Sequence, residues 1–162
     1  MGSIADGMPS LEADSRAVDL PDAAATEALG ARVGAALAIG DVVCLSGPLG
    51  VGKTTFARGA VQAWVGHPEE TPSPTYTLVQ TYDGPRGVLW HMDLYRLNAP
   101  EEAMELGLEE AFAAAACLVE WPERLGRFLP RDRLEIALAI AGEGRRAALT
   151  GVGGWRGRVH DI

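Results

Sequence analysis

Gly47-Pro48-Leu49-Gly50-Val51-Gly52-Lys53-Thr54 spells G-x-x-x-x-G-K-S/T, the pattern of a phosphate-binding loop. Glycines let a backbone curl until its N–H groups point inward at phosphate oxygens. A helix starting at the end of the loop adds partial positive charge at the same place. Lys53 has the reach for terminal phosphates, and the Thr54 hydroxyl is a ligand type that suits Mg²⁺. The run from Gly47 through Leu49, Gly50, Val51, Gly52, Lys53 and Thr54 to Thr55 is therefore the expected nucleotide-binding segment, with ATP and Mg²⁺ as the expected ligands. Lys53 is the only lysine in the chain, beside thirteen arginines.

Such a loop needs an acid near the metal, usually at the end of an apolar strand. Asp93 closes Val88-Leu89-Trp90-His91-Met92, and Glu120 closes Ala116-Cys117-Leu118-Val119. Either acid suits the metal shell or the orientation of water, and spacing does not separate the two roles. Thr75 and Thr77 lie in a proline-bounded stretch, where a hydroxyl can sense a γ-phosphate or simply belong to a strand. His91 is two residues before Asp93, so on a strand both share a side. It either orients the site or packs. Trp121 follows Glu120 directly and either stacks on a base or fills the core.

The flanks set the elements that must carry these groups. Val42 to Leu45 reads as a buried strand and Thr55 to Trp64 as a helix, the order a phosphate loop requires. Asp22 is placed to cap a helix running to about Ala38, with Leu29, Val33, Ala36 and Leu37 on one face. Residues 17–20 read as a short edge strand. Residues 73–82 read as a strand from their β-branched and aromatic content, and Val88 to Tyr95 as its hairpin partner. Helical material follows Asn98-Ala99-Pro100 to about Ala115, broken near Gly107. Ala116 to Trp121 reads as a buried strand stopped by Pro122, and Glu123 to Leu129 as a short helix. Leu134 to Ala141 and Arg146 to Val152 form a final hairpin. The expected organisation is a disordered lead over 1–17, one domain over 18–152 and a loose tail over 153–162.

The chain has 162 residues, 48% of them hydrophobic, and a net charge of −8. That length suits one core. The negative balance without a basic run argues against tight direct binding to bare nucleic acid. The longest apolar runs are far short of a membrane span, and the first residues lack a secretory pattern, so a cytoplasmic location is expected. Cys44 and Cys117 each sit in an apolar run and read as buried thiols.

Four ordered motifs carry a specific resemblance: residues 47–59, then Ser73-Pro74-Thr75-Tyr76-Thr77-Leu78, then His91-x-Asp93-Leu94-Tyr95-Arg96-Leu97, then Leu118-Val119-Glu120-Trp121-Pro122-Glu123-Arg124. Together they resemble the TsaE family, ATPases of bacterial tRNA threonylcarbamoyladenosine biosynthesis, over about Val18 to Val152. The resemblance implies an α/β, P-loop NTPase-like three-layer fold with a mixed, mostly parallel central sheet and a C-terminal hairpin. It implies slow Mg²⁺-dependent ATP hydrolysis alongside the TsaD and TsaB subunits, which modify the adenosine beside the anticodon of ANN-decoding tRNAs. It implies contact with tRNA only through those subunits, and no group transfer by this chain. By residue, it implies Lys53 and Thr54 at phosphate and Mg²⁺, Thr75 as a switch-like threonine, Asp93 as the Walker-B-like acid, Glu120 as a second acid near metal and water, and Trp121 near the nucleotide. Two positions depart from the family pattern. Pro48 stands where an acid is common, and Val51 where a small residue is common.

A small-molecule P-loop kinase is the alternative. Such an enzyme needs an acceptor pocket and an arginine-bearing lid, and Arg124, Arg127, Arg131 and Arg133 resemble one. No acceptor site is visible in the sequence, and the Ser-Pro-Thr and Glu-Trp-Pro elements go unexplained by it. Arg58, Arg96 and Arg124 are the candidate donors to a transition-state phosphate, unless a partner supplies one.

Overall fold

The computed structural model describes residues 13–162. Seven strands form one sheet in the order β1-β7-β6-β2-β5-β4-β3. They are β1 (Ala13–Leu20), β2 (Val42–Ser46), β3 (Val79–Gly84), β4 (Gly87–Asp93), β5 (Ala116–Glu120), β6 (Arg133–Ala141) and β7 (Gly144–Val152). The central neighbours β6, β2, β5 and β4 run parallel, while β7 pairs antiparallel with β6, β1 antiparallel with β7, and β3 antiparallel with β4. The sheet is thus mixed with a parallel centre, as the sequence led one to expect.

Alternation along β2 and β5 builds the layers. Val43, Leu45 and Leu118 face one side, where they pack with α1 (Ala23–Ala36) and α2 (Lys53–Val65). Val42, Cys44, Cys117 and Val119 face the other, against α3 (Pro100–Glu105) and α4 (Leu108–Ala114). Both faces of the central strands are covered, so their sequences read as unbroken apolar runs rather than as alternation. Asp22 caps α1, its carboxylate accepting from the Ala25 amide at 2.8 Å. α1 and α2 touch through glycines: a Cβ on Gly30 would stand 2.0 Å from the Phe56 carbonyl oxygen, and one on Gly59 would stand 2.0 Å from that of Glu27. This close approach fixes the helix that follows the phosphate loop.

Three boundaries differ from the sequence reading. The expected strand over 73–82 forms only from Val79. Residues 75–77 are a turn, the Leu78 amide bonds back to the Pro74 carbonyl, and Leu78 sits at φ 68°. Proline flanks overrode the β-branched content. β1 already begins at Ala13, so 13–17 is paired with β7 rather than part of a lead; the remainder of that expected lead, 1–12, lies outside the described residues. The expected loose tail is two 3-10 turns, Gly153–Trp155 and Arg158–Asp161, with Trp155 and Val159 buried in the core shared with α1 and α2. Arg158 holds them down by donating to both carboxylate oxygens of Asp41, at 2.8 and 2.7 Å, while lying over the Trp155 ring.

Candidate functional site

The site lies at the C-terminal ends of the parallel strands, where the turn after β2 enters α2. Gly47, Gly50 and Gly52 hold φ values of 144°, 79° and 117°, a run of left-handed backbone that only glycine adopts without strain. The N-cap residue of α2, Gly52, offers no side-chain cap, and no acid lies in the helix's first turn. Its leading N–H groups and dipole are left for an anion. Val51 packs into the apolar core, so this departure from the family pattern turns its side chain inward. The loop is braced from β7, where Arg145 Nε donates to the Val51 carbonyl at 2.9 Å.

Lys53 is folded back and buried. Its ammonium donates to the carbonyls of Gly47 and Pro48 and sits 4.3 Å from the centre of the Trp121 ring. Burial pushes its pKa below the ordinary lysine value, and the charges of Glu120, Asp93 and Glu123 pull it back up. A buried ammonium held by carbonyl oxygens and a ring face has much to gain from a phosphate.

Both acids point inward, and neither is a solvent-facing strand end. Asp93 and Glu120 are paired in register at the ends of β4 and β5 and are 4% and 3% exposed. Each oxygen of Asp93 accepts one hydrogen bond, Oδ2 from the Thr75 hydroxyl at 3.0 Å and Oδ1 from the Tyr95 amide at 3.0 Å, which leaves lone pairs for a further partner. Ser73 Oγ lies 2.8 Å from Thr75 Oγ1 and extends this chain outward. Thr77 bonds instead with Gln80, away from the acids. His91 reaches Glu120, its Nε2 lying 2.7 Å from Oε2.

One cavity collects Leu49, Gly50, Gly52, Lys53, Thr54, Thr55, Ser73, Thr75, Asp93, Glu120 and Trp121. Lys53, Thr54, Thr55, Thr75, Asp93, Glu120 and Trp121 thus open on one space. Val51 turns to the core, Gly47 meets the site through its carbonyl, Thr77 bonds with Gln80, and His91 lies buried behind Glu120. A second cavity lies across the loop, lined by Leu20, Asp22, Thr26, Val51, Thr55, Glu143 and Arg145 among others, and shares Gly50, Gly52 and Thr55 with the first. No motif in the sequence pointed to it, because its walls come from β1, α1 and the β6–β7 turn.

Among the arginines, Arg58 pairs with Glu27 at 3.0 Å. Arg127 pairs with Glu101 and Arg133 with Glu135. Arg96 lies over the Tyr76 ring at 4.9 Å and Arg124 over Tyr95 at 5.9 Å. Among the described residues no cluster of three or more His, Cys, Asp and Glu forms a metal cage. A Mg²⁺ site does not require one, since this ion takes one or two carboxylates plus phosphate oxygens. The donor set here, a hydroxyl beside two buried carboxylates, fits that habit.

A family model described as threonylcarbamoyl adenosine biosynthesis protein TsaE matches residues 20–148. The chain is 42% identical over 106 residues to a tRNA threonylcarbamoyladenosine biosynthesis protein TsaE of Rickettsia bellii, covering 65% of this chain and 74% of that one. It is 41% identical over 108 residues to the TsaE of Bacillus subtilis, covering 66% of each. The fold resembles the crystal structure of Bacillus subtilis YdiB with a TM-score of 0.78 and 31% identity, over 94% of this chain and 95% of that one. No described helix is long and apolar enough to cross a membrane.

Proposed function

We propose that this chain, which belongs to the TsaE family and so takes part in tRNA threonylcarbamoyladenosine biosynthesis, does so as a Mg²⁺-dependent ATPase. The observation that carries the reading is the convergence of Lys53, Thr54, Asp93 and Glu120 on one cavity at an uncapped helix N-terminus.

The residues divide the work as follows. Loop amides and the α2 N-terminus bind the phosphates. Lys53 leaves the Gly47 and Pro48 carbonyls and the Trp121 ring to pair with the terminal phosphate oxygens. A bound Mg²⁺ would supply neutralisation of phosphate charge. Thr54 and Asp93 are placed to hold it or its waters. Glu120 orients the attacking water and accepts its proton; the water oxygen bonds to the γ-phosphorus as the bond to the β–γ bridging oxygen breaks, and ADP leaves with that electron pair. The second cavity takes the nucleoside, because it shares Gly50, Gly52 and Thr55 with the phosphate cavity and is not lined by Trp121. Trp121 then belongs to the terminal-phosphate end.

Thr75 is bonded to Asp93 and lies in a turn rather than a strand, so phosphate and metal can compete for its hydroxyl. Movement of this turn is how hydrolysis is signalled to the TsaB–TsaD complex, the proposed partner. With a net charge of −8, the chain meets tRNA only through that complex, in the cytoplasm. Arg96 or Arg124, which lie over the Tyr76 and Tyr95 rings, or an arginine from the partner, supplies the transition-state cation. Two of the four arginines that the kinase alternative needs for a lid, Arg127 and Arg133, pair with Glu101 and Glu135, which counts against it.

Phosphate release from Mg-ATP tests this. The wild-type protein should hydrolyse slowly and faster with TsaB, TsaD and tRNA, and Lys53→Ala should not hydrolyse at all. A Glu120→Gln variant that cannot hydrolyse yet sustains tRNA modification in full would reduce the protein to a nucleotide-gated binding module.

A further inference from the structure

The pair His91–Glu120 is not explained by packing alone. The β4–β5 register sets His91 beside Leu118 and Asp93 beside Glu120, so the contact runs diagonally between neighbouring strands. The two side chains are 1% and 4% exposed. The other ring nitrogen, Nδ1, is buried and has no hydrogen-bond partner among the described residues. A proton on Nδ1 would strand a donor in a dry interior, whereas a bare lone pair there costs less. The proton therefore sits on Nε2, and His91 donates to Glu120 rather than accepting from it.

We propose that His91 is a positioning residue for hydrolysis: by donating from Nε2 to Glu120 Oε2 it fixes the carboxylate so that Oε1 is presented to the phosphate cavity to hold the attacking water. Glu120 is the last residue of β5, and its side chain has three rotatable bonds that a strand end alone does not fix. Anchoring one oxygen removes that freedom before the substrate arrives, which is the preorganisation a water-orienting carboxylate needs. The inference rests on the ATPase reading, because it assigns Glu120 its task.

The test compares wild type, His91→Leu and His91→Gln by kcat, by affinity for ATP with and without Mg²⁺, and by thermal unfolding. Leucine fills space without a donor, and the glutamine amide places an N–H at nearly the reach of Nε2. His91→Leu should lose about 10–100-fold in kcat with nucleotide affinity nearly unchanged, and His91→Gln should regain most of it. A merely structural histidine would move the unfolding temperature and not this split. Equal kcat in wild type and His91→Leu overturns the role of His91 alone, while a wild type that releases no phosphate overturns the ATPase reading itself. Nitrogen-15 NMR of the unmodified protein is independent of activity and of variant folding. A proton on Nε2 of His91 is expected, and one on Nδ1 alone contradicts the proposal.

Discussion

The Thr75 hydroxyl donates to Asp93 Oδ2 at 3.0 Å, joining the turn after Pro74 to the end of β4. The threonine is thereby docked on the acid that the ATPase reading assigns to the metal. Removing the hydroxyl frees the turn and deprives Asp93 of a donor. Thr75→Ala should slow hydrolysis by about tenfold or more, while Thr75→Ser stays near wild type. Phosphate-release rates at saturating Mg-ATP check this, and an unimpaired Thr75→Ala would reduce the contact to ordinary turn packing.

The ammonium of Lys53 rests 4.3 Å from the Trp121 ring centre and must leave it to meet a phosphate. Adding nucleotide should therefore change tryptophan emission. Trp64, Trp90 and Trp155 are also present, so Trp121→Phe is the control and should abolish most of the change. A signal that survives this substitution would place the ring outside the binding event.

Much of this site is legible in the sequence because its parts are local. The glycine loop, the apolar run before it and the helix after it are contiguous. Asp93 and Glu120 announce themselves as the first charged residues after buried β-runs. What is not legible depends on register or on distant partners. Nothing local pairs His91 with Glu120, since that needs the β4–β5 alignment. The 73–78 turn reads as strand by composition, and only the flanking prolines hint otherwise. The tail shows no periodicity because 3-10 turns are short, and its anchor, Asp41, lies 117 residues from Arg158.

Arg86 lies in the β3–β4 hairpin yet donates to the carbonyls of Gly34, Ala35 and Leu37 at the end of α1, while its guanidinium sits 4.3 Å from the Trp64 ring centre. It supplies the C-terminal cap that α1 lacks in its own last turn, where no basic residue occurs. Arg86→Ala should cost about 1–2 kcal/mol, since exposure on one side weakens each bond. Urea unfolding midpoints measure it, and Arg86→Lys should recover little because a single ammonium cannot span three carbonyls.

Burial pushes the thiols of Cys44 and Cys117 from an ordinary value near 9.0 up to about 12. Between those values the folded chain keeps protons that the unfolded chain has lost. Stability contributed by the thiols is therefore intact below about pH 9 and falls as pH rises toward 12. Urea midpoints across that window should drop less steeply in a Cys44→Ala, Cys117→Ala variant than in wild type. Equal slopes would mean that the thiols are not the groups responsible. Neither thiol should react with an alkylating reagent in the folded state at neutral pH.

The account turns on where the γ-phosphate goes. Mg-ATP labelled at the γ-position should yield labelled inorganic phosphate, slowly with this protein alone and faster with TsaB, TsaD and tRNA. The release should be lost in Lys53→Ala and in Glu120→Gln. Label appearing on a small metabolite without any partner would contradict the account and make the protein a kinase.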